Sequence, residues 1–283
     1  MATVISPREV IKQKIFEKNK HHVLEIGCGN GEFLLQLNEA RKNHLIWGLD
    51  IFNFALKKAL SRTKNLENTF LVKSEGKWFL QWVVPENSID EIYLLFPDPW
   101  PGREKKRIVD SYFPDLLNSR LKPNGRFFFS TDVKDYFENV KDLFENSRDF
   151  EIINGISSFY TKYERKWKAA GRNTYSLSVV KIGKNTPQRE SYNTFLQYPV
   201  KVNLSKNTLL NLTGLELRMK DIFFKIIKTF ENPSGILYKT VFRFQNTEQK
   251  QLFLIKNSQI DLLPIQAEIY PEPLVEIIKL IFS

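Results

Sequence analysis

The feature that most constrains the fold of this chain is a glycine-rich turn placed directly after a short apolar run. The run Val23–Ile26 is typical of a buried strand, and a helical pattern begins at Glu32. Between them, Gly27, Gly29 and Gly31 allow the backbone to turn sharply and to approach a ligand with no side chain in the way. This strand, turn and helix predict one unit of a parallel sheet covered by helices.

The same alternation continues through roughly the first 190 residues. The predicted strands are 23–26, 45–51, 69–72, 89–96 and 126–130, and the predicted helices are 32–42, 54–63, 108–120 and 133–146. A short helix capped by Ser6 precedes them, and strands near 151–157 and 175–182 would close the sheet edge. Repeated units of this kind predict a Rossmann-like α/β fold with a mostly parallel seven-stranded sheet and helices on both faces.

A polar, proline-containing stretch at 185–190 ends the alternation and predicts a domain boundary, with one domain over 1–188 and a second over 189–283. In the second domain the patterns predict strands at 195–204, 235–244 and 251–255, and helices at 215–230 and 273–282. This order suggests a small α/β accessory domain of unknown role. Its excess of basic residues favours added affinity for a polyanionic partner, whereas the apolar run 274–282 would equally suit a dimerisation module.

Composition narrows the function. The net charge is +10 and favours a polyanionic partner, although a Lys-rich coding bias gives the same excess. No apolar run approaches the length of a membrane helix, so we expect a soluble protein. The single cysteine, Cys28, cannot form an internal disulfide, and three scattered histidines do not suit a structural zinc site. A cytoplasmic protein without metal, either a monomer or a homodimer, is expected.

Acidic residues indicate which cofactor the glycine turn holds. Asp50 ends the second predicted strand, where an acid accepts hydrogen bonds from ribose hydroxyls. A nicotinamide dinucleotide would need a glycine at Glu32, and its pyrophosphate would be repelled by Glu25 and Glu32. S-adenosylmethionine has no phosphate and carries cationic groups, so this turn favours it. Glu75, just after the third strand, either accepts a hydrogen bond from the adenine amino group or is a solvated acid.

The fourth predicted strand ends in a rigid segment of three prolines within 97–101. The prolines fix the backbone and present Asp98 and Trp100 at the sheet edge where the glycine turn also lies. Trp100 would either stack on a substrate base or pack under the loop. A basic cluster follows directly and suits a phosphate-rich substrate, although an exposed helix start would look the same. Its members are Arg103, Lys105, Lys106 and Arg107.

Taken together, these motifs resemble the bacterial tRNA (guanine-N7-)-methyltransferase family over roughly residues 20–182. They are LEIGCGNGEF at 24–33, FPDPWP at 96–101 with the basic cluster after it, STD at 130–132 and TKYE at 161–164. Glycine turns are common among methyltransferases, but FPDPWP with a downstream TKYE is specific. The resemblance implies a class I methyltransferase fold and transfer of a methyl group from S-adenosylmethionine to N7 of the variable-loop guanosine of tRNA.

The resemblance also implies roles for individual residues. The cofactor positions would be Glu25, Gly27, Gly29, Gly31, Asp50, Glu75 and Asp98, with Asp98 also the catalytic residue. The substrate contacts would be Asp132, Thr161, Lys162, Tyr163 and Glu164, and Arg103 would replace a loop lysine that is usual in the family. The chain departs from the family pattern at Gly102, where its loop is shorter, and at Glu75, where the family has Asp and Ser74 is the other alignable position.

Two other functions fit the same residues. Asp98-Pro99-Trp100 loosely resembles the motif of methyltransferases that act on an exocyclic amino group of a nucleobase. A non-catalytic RNA-binding subunit would keep the fold and the basic surface but would not need the intact acidic residues.

Overall fold

A computed structural model describes residues 3–17, 19–153, 171, 173–183, 194–195, 201–219, 221–244, 247–262 and 269–282. The chain divides into two compact units, of which the first comprises Met1–Ile5 and Gln13–Gln188. The second comprises Ser6–Lys12 and Arg189–Ser283, and it therefore includes the leading helix α1 (Pro7–Lys12). None of the described helices is long and apolar enough to cross a membrane.

The first unit is an α/β structure. Its strands are β1 (Thr3–Ile5), β2 (His22–Ile26), β3 (Leu45–Asp50), β4 (Thr69–Lys73), β5 (Ile89–Leu95), β6 (Leu121–Thr131), β7 (Phe150–Ile152) and β8 (Tyr175–Lys181). Its described α-helices are α2 (Glu32–Ala40), α3 (Asn53–Thr63), α4 (Gly76–Trp82), α5 (Phe113–Arg120) and α6 (Lys134–Glu145), and a single 3₁₀ turn covers Glu104–Lys106.

The strands form one eight-stranded sheet in the order β1-β4-β3-β2-β5-β6-β8-β7. Strands β1 to β6 are parallel, whereas β8 is antiparallel to both β6 and β7. From β2 the chain moves outward through β3 and β4, and it then returns to the other side of β2 with β5. Strand order therefore reverses between β2 and β5, which is where parallel sheets open a crevice for ligands at the carboxyl ends of their strands.

The core beside this crevice explains why these segments are strands and helices. Val23 and Leu24 of β2 are fully buried, because the sheet is covered on both faces. Helix α2 directs Phe33, Leu34 and Leu37 into the same apolar cluster. The glycine turn thus joins two elements whose positions are fixed by packing.

The second unit contains a five-stranded antiparallel sheet in the order β10-β11-β12-β13-β14. These strands are β10 (Glu216–Met219), β11 (Ile222–Asn232), β12 (Gly235–Phe244), β13 (Thr247–Lys256) and β14 (Gln259–Leu262). The remaining elements are β9 (Thr194–Phe195), which pairs with β15 (Tyr270–Pro271), and the helices α7 (Lys206–Leu210) and α8 (Glu272–Phe282). Tyr238 of β12 packs on Phe282, and its hydroxyl donates to the Leu209 carbonyl at 2.7 Å.

The fold class predicted from the sequence is confirmed, and three details need correction. Strand β1 adds an eighth strand to the expected seven. The helix predicted over 215–230 is wrong, because that segment forms the β10–β11 hairpin. A strand was predicted over 195–204, but 201–205 is not a strand, and 196–200 lies outside the described residues.

The error at 215–230 has a local cause. Strand β11 carries a bulge between Ile226 and Lys228, which interrupts its two-residue alternation. The apolar residues on either side of the bulge are then spaced three or four apart, as on a helix. The β-branched and aromatic residues of this segment favour a strand and were the better signal.

Candidate active site

A cleft of about 580 Å³ lies at the point where the strand order reverses. The predicted cofactor residues that line it are Glu25, Gly27, Gly29, Asp50, Glu75 and Asp98. They come from four segments distant in the sequence, which the parallel sheet gathers at one edge because each follows or ends a neighbouring strand. Gly31 is not among the lining residues.

The glycine turn has the backbone conformation that its residues favour. Gly27, Gly29 and Gly31 have φ of 79°, 53° and 74°, in the left-handed region. The amide of Gly27 donates to the Leu49 carbonyl at 2.8 Å, which fixes the turn against the end of β3. At Gly31 a Cβ atom would lie 2.9 Å from the Cα of Ala59. Gly31 therefore lets α2 and α3 approach closely, whereas Gly27 and Gly29 face the cleft.

Asp50 connects the glycine turn to the start of α3. Its Oδ2 accepts from the Gly29 amide at 3.0 Å, and its Oδ1 accepts from the Phe52 amide at 2.8 Å. The side chain is 8% exposed, so these bonds hold it in one orientation at the cleft wall. Each carboxylate oxygen can accept a second bond, which leaves Asp50 able to receive the hydroxyl groups of a ribose.

Glu25 is the most perturbed acid of the cleft. Its side chain is 5% exposed, and its Oε2 is buried without a hydrogen bond from any described residue. Burial, and then the negative charge of Asp50, raise the pKa of Glu25 to about 8. An unpaired buried carboxyl is costly, and a cationic ligand group would relieve that cost. The amino group of S-adenosylmethionine is such a group, so this residue fits the cofactor.

Glu75 already has a structural role. Its oxygens accept from the amides of Lys77 at 3.1 Å and Trp78 at 2.7 Å, so it caps the N-terminus of α4. Burial raises the pKa of Glu75, and the two amide bonds oppose that rise. Glu75 lines the cleft beside the buried Ser74, and both alignable positions therefore lie at the predicted adenine end.

The proline-rich segment after β5 is held in an unusual conformation. Phe96 and Trp100 have backbone φ angles of 52° and 46°, which residues other than glycine rarely adopt. The Phe96 amide donates to the Ser130 carbonyl at 2.7 Å, which ties the segment to β6. Asp98 lies between these two residues, exposed and on the cleft lining. The rigid backbone therefore presents Asp98 to a ligand in a defined position.

Arg107 differs from the rest of the basic cluster and corrects the expectation that all four residues face a substrate. It is 5% exposed, and its Nε donates to the Pro99 carbonyl at 2.9 Å. Its Nη2 donates to Asp135 at 2.7 Å, and its guanidinium lies 4.6 Å from the Tyr136 ring. Arg107 is thus a buried brace that joins the proline-rich segment to α6.

The other three members of the cluster are exposed. The Lys106 ammonium lies 5.0 Å from the Trp100 ring, and both residues line the cleft. Arg103 and Lys105 lie on the same short turn but outside the cleft lining. The surface available to phosphate at this point therefore consists of Arg103, Lys105 and Lys106.

The structure does not gather all predicted substrate residues. Asp132 follows β6 at the same sheet edge as Asp98, but it is not on the cleft lining. The predicted contacts Thr161, Lys162, Tyr163 and Glu164 lie outside the described residues.

Exposed apolar residues at the cleft mouth were missed in the sequence. Ile51, Phe52 and Phe54 are 47%, 63% and 70% exposed, and they line the cleft at the start of α3. The Lys58 ammonium lies 4.3 Å from the Phe54 ring. The sequence did contain a signal for this patch. Phe52 and Phe54 lie at the start of the helix but not on the face that Leu56 and Ala59 bury, so exposed aromatic rings could have been predicted there.

A glycine turn and a strand-end acid at the reversal point of this sheet, with the antiparallel strand β8 inserted next to the edge strand β7, define a class I S-adenosylmethionine-dependent methyltransferase. Residues 19–177 match the family described as "Putative methyltransferase". The tRNA (guanine-N(7)-)-methyltransferase of Thermotoga maritima is 32% identical over 235 residues, which cover 79% of this chain and 75% of that protein. This chain belongs to the tRNA (guanine-N(7)-)-methyltransferase family, which confirms the resemblance identified from the motifs.

Two further similarities extend the comparison. The tRNA (guanine-N(7)-)-methyltransferase of Aquifex aeolicus is 24% identical over 257 residues, covering 85% of this chain and 86% of that protein. Among solved structures, the aminoglycoside resistance methyltransferase NpmB1 matches with a TM-score of 0.43 and 15% identity, covering 62% of this chain and 93% of that one.

Proposed function

We propose that this chain methylates N7 of the variable-loop guanosine of tRNA, using the cleft at the β2–β5 reversal as its active site. The observation that carries the proposal is that Asp98, on a braced segment, lines the same cleft as Glu25 and Asp50. Glu25, Asp50 and the glycine turn, here called the cofactor wall, are suited to the cofactor, and the segment that carries Asp98, here called the substrate wall, presents an acid to a substrate base. We also infer a cytoplasmic location, where tRNA is found.

The cofactor wall uses residues of this chain in distinct ways. Glu25 would accept the cationic amino group, Asp50 the ribose hydroxyls, and the turn at Gly27 and Gly29 would allow close approach of the backbone. When bound, S-adenosylmethionine supplies an electrophilic methyl group. These contacts hold the donor in one orientation, which is the condition for in-line transfer.

Methyl transfer to guanine N7 needs no general base from the substrate wall. Guanine N7 has an unshared electron pair and no proton, so the nucleophile exists at neutral pH. Catalysis then depends on alignment, which supplies on the order of 7 to 11 kcal/mol when the reacting atoms are held near contact. Asp98 would accept from the N1–H and amino groups of guanine and would stabilise the positive charge that develops on the ring.

The guanosine must leave the tRNA core to enter the cleft, at an unstacking cost of a few kcal/mol. Trp100 and Phe54 offer exposed rings for stacking at the mouth, each with a lysine over the ring. We propose that Arg103, Asp132 and the 161–164 segment contribute further substrate contacts, as the family resemblance implies.

The test is to incubate the purified chain with labelled cofactor and unmodified tRNA, digest the RNA, and identify the methylated nucleoside. We expect 7-methylguanosine, and we expect Asp98→Asn to lower the rate of its formation. A methyl group on an exocyclic nitrogen would support the rival methyltransferase instead. Binding of cofactor and tRNA without any methyl transfer would support the non-catalytic subunit.

A further inference from the structure

The five-stranded sheet of the second unit has one buried face and one exposed face. Phe224, Tyr238, Phe242 and Phe253 point to the buried face and are at most 1% exposed. Alternate residues of the same strands must point to the opposite side. We call that side the open face, and its basic residues are Arg218, Lys225, Lys228, Lys239, Arg243, Lys250 and Lys256.

The open face contains a pair of like charges that folding alone does not explain. Lys228 of β11 and Lys239 of β12 are cross-strand partners, so their side chains project from the same side of the sheet. Both are exposed, and neither forms an ion pair with any described residue. Like charges directly opposite each other destabilise a sheet. This pair costs stability unless an anion binds between its members.

A second row on the open face joins cations to an aromatic ring. Phe223 of β11 lies between Arg218 and Arg243 on the two neighbouring strands. Their guanidinium groups lie 4.9 Å and 5.0 Å from its ring. Each arginine is also paired with an acid, Arg218 with Glu216 at 2.7 Å and Arg243 with Glu248. The arginines are thus partly neutralised and ordered, whereas the lysine pair is not.

An exposed aromatic ring lies beside the lysine pair. Phe230 follows Lys228 by two residues, is 40% exposed, and has the Lys228 ammonium 4.9 Å from its ring. Nucleic-acid-binding surfaces combine aromatic rings with uncompensated cations, because bases stack on the rings while phosphates contact the cations. A purely hydrophobic partner would not need the lysines, and a lone phosphate would not need the ring.

We propose that the open face binds the tRNA substrate, with phosphates at Lys228 and Lys239 and a base stacked on Phe230. The proposal rests on the proposed function only for the identity of the RNA. It gives the second unit a binding role without chemistry.

The test variant carries Lys228→Ser and Lys239→Ser in the full chain. Loss of two phosphate contacts should make the log K versus log salt slope shallower by roughly 1.5 and weaken tRNA binding roughly 15-fold at 0.15 M salt. Turnover at saturating tRNA and cofactor affinity should be unchanged. Thermal stability should be equal or higher, because the variant removes a repulsion.

The matched control is Lys42→Ser with Lys64→Ser, which removes two exposed lysines of the first unit. They precede β3 and β4 and so lie at the amino ends of the parallel strands, whereas the cleft lies at the carboxyl ends. It loses the same charge, and we expect a much smaller change in slope. Equal effects of the two variants would overturn the proposal, because the loss would then reflect net charge alone. Unchanged tRNA affinity with a change in sedimentation would also overturn it and would identify the open face as a contact between copies of this chain.

The two proposals can fail separately. If the wild-type chain makes no 7-methylguanosine but binds tRNA through Lys228 and Lys239, the open face stands and the proposed activity falls. If methylation is normal and the Michaelis constant for tRNA is the same in the variant, the proposed activity stands and the open face as an RNA-binding surface falls.

Discussion

Replacement of Glu25 by Gln should change both the stability and the cofactor binding of this protein in a pH-dependent way. Because the pKa of Glu25 is raised from 4.5 to about 8, the folded protein keeps a proton that the unfolded chain releases. The free energy of unfolding of the wild type therefore falls by ~1.36 kcal/mol per pH unit through this one group as the pH rises from about 4.5 to about 8. Glu25→Gln lacks this loss and should gain about 3 kcal/mol relative to wild type between pH 4.5 and pH 7.

The same ionisation predicts proton release when the cofactor binds. At pH 7 a carboxyl with a pKa of about 8 is roughly 90% protonated. An ion pair with the cationic amino group requires the carboxylate, so binding should release close to one proton. Calorimetric titration in two buffers with different ionisation heats measures this number. Glu25→Gln should release none and should bind the cofactor roughly 1.5 to 3 kcal/mol more weakly, the usual loss for a charged hydrogen bond.

Glu39→Gln is the control, because Glu39 is exposed near the end of α2 and the substitution makes the same change of side chain outside the cleft. It should leave proton release and affinity unchanged. A binding heat that does not depend on the buffer, together with parallel stability curves for wild type and Glu25→Gln from pH 5 to pH 8, would refute the assignment of Glu25 to the cation.

Three further predictions concern Asp50, the glycine turn, and Arg107, which braces the proline-rich segment. Asp50→Ala should weaken cofactor binding by roughly 1 to 3 kcal/mol in calorimetric titration, because the ribose hydroxyl groups of the cofactor would lose their acceptor in a buried site. Unchanged affinity would remove Asp50 from the site. Gly31→Ala should lower the midpoint of thermal unfolding, because its Cβ would overlap Ala59 and its φ is positive; an unchanged midpoint would contradict the close approach. Arg107→Ser should destabilise the fold by roughly 1 to 3 kcal/mol in urea denaturation, because the Pro99 carbonyl loses its donor and the contact with the Tyr136 ring is lost. Arg103→Ser should change only the Michaelis constant for tRNA, and equal stability of the two variants would contradict the bracing role of Arg107.

The site could be predicted from the sequence to the extent that its determinants are local. A strand end, a glycine turn and a following helix lie within about a dozen residues, and the acid Asp50 ends the next strand. Parallel topology then brings such segments to one edge without further information. Asp98 was found for the same reason, since its prolines mark the end of β5.

Features that depend on distant residues could not be separated in the sequence. Arg103 and Arg107 belong to one basic run with the same chemistry. Arg107 is buried because Asp135 and Tyr136 of α6 receive it, and nothing in the run indicates this. The bulge at Ile226 likewise becomes visible only when β11 pairs with β12.

The raised pKa of Glu25 resolves a conflict between the two ligands of the cleft. A cationic cofactor favours negative charge there, whereas an approaching tRNA is repelled by it. With a pKa of about 8, Glu25 is mostly neutral at pH 7 when no cation is present. It becomes a carboxylate when a cation arrives, and the released proton keeps the local charge nearly constant. Because burial is the main cause of the raised pKa, burial of this carboxyl group, and not acidity alone, allows one cleft to receive both a cation and a polyanion.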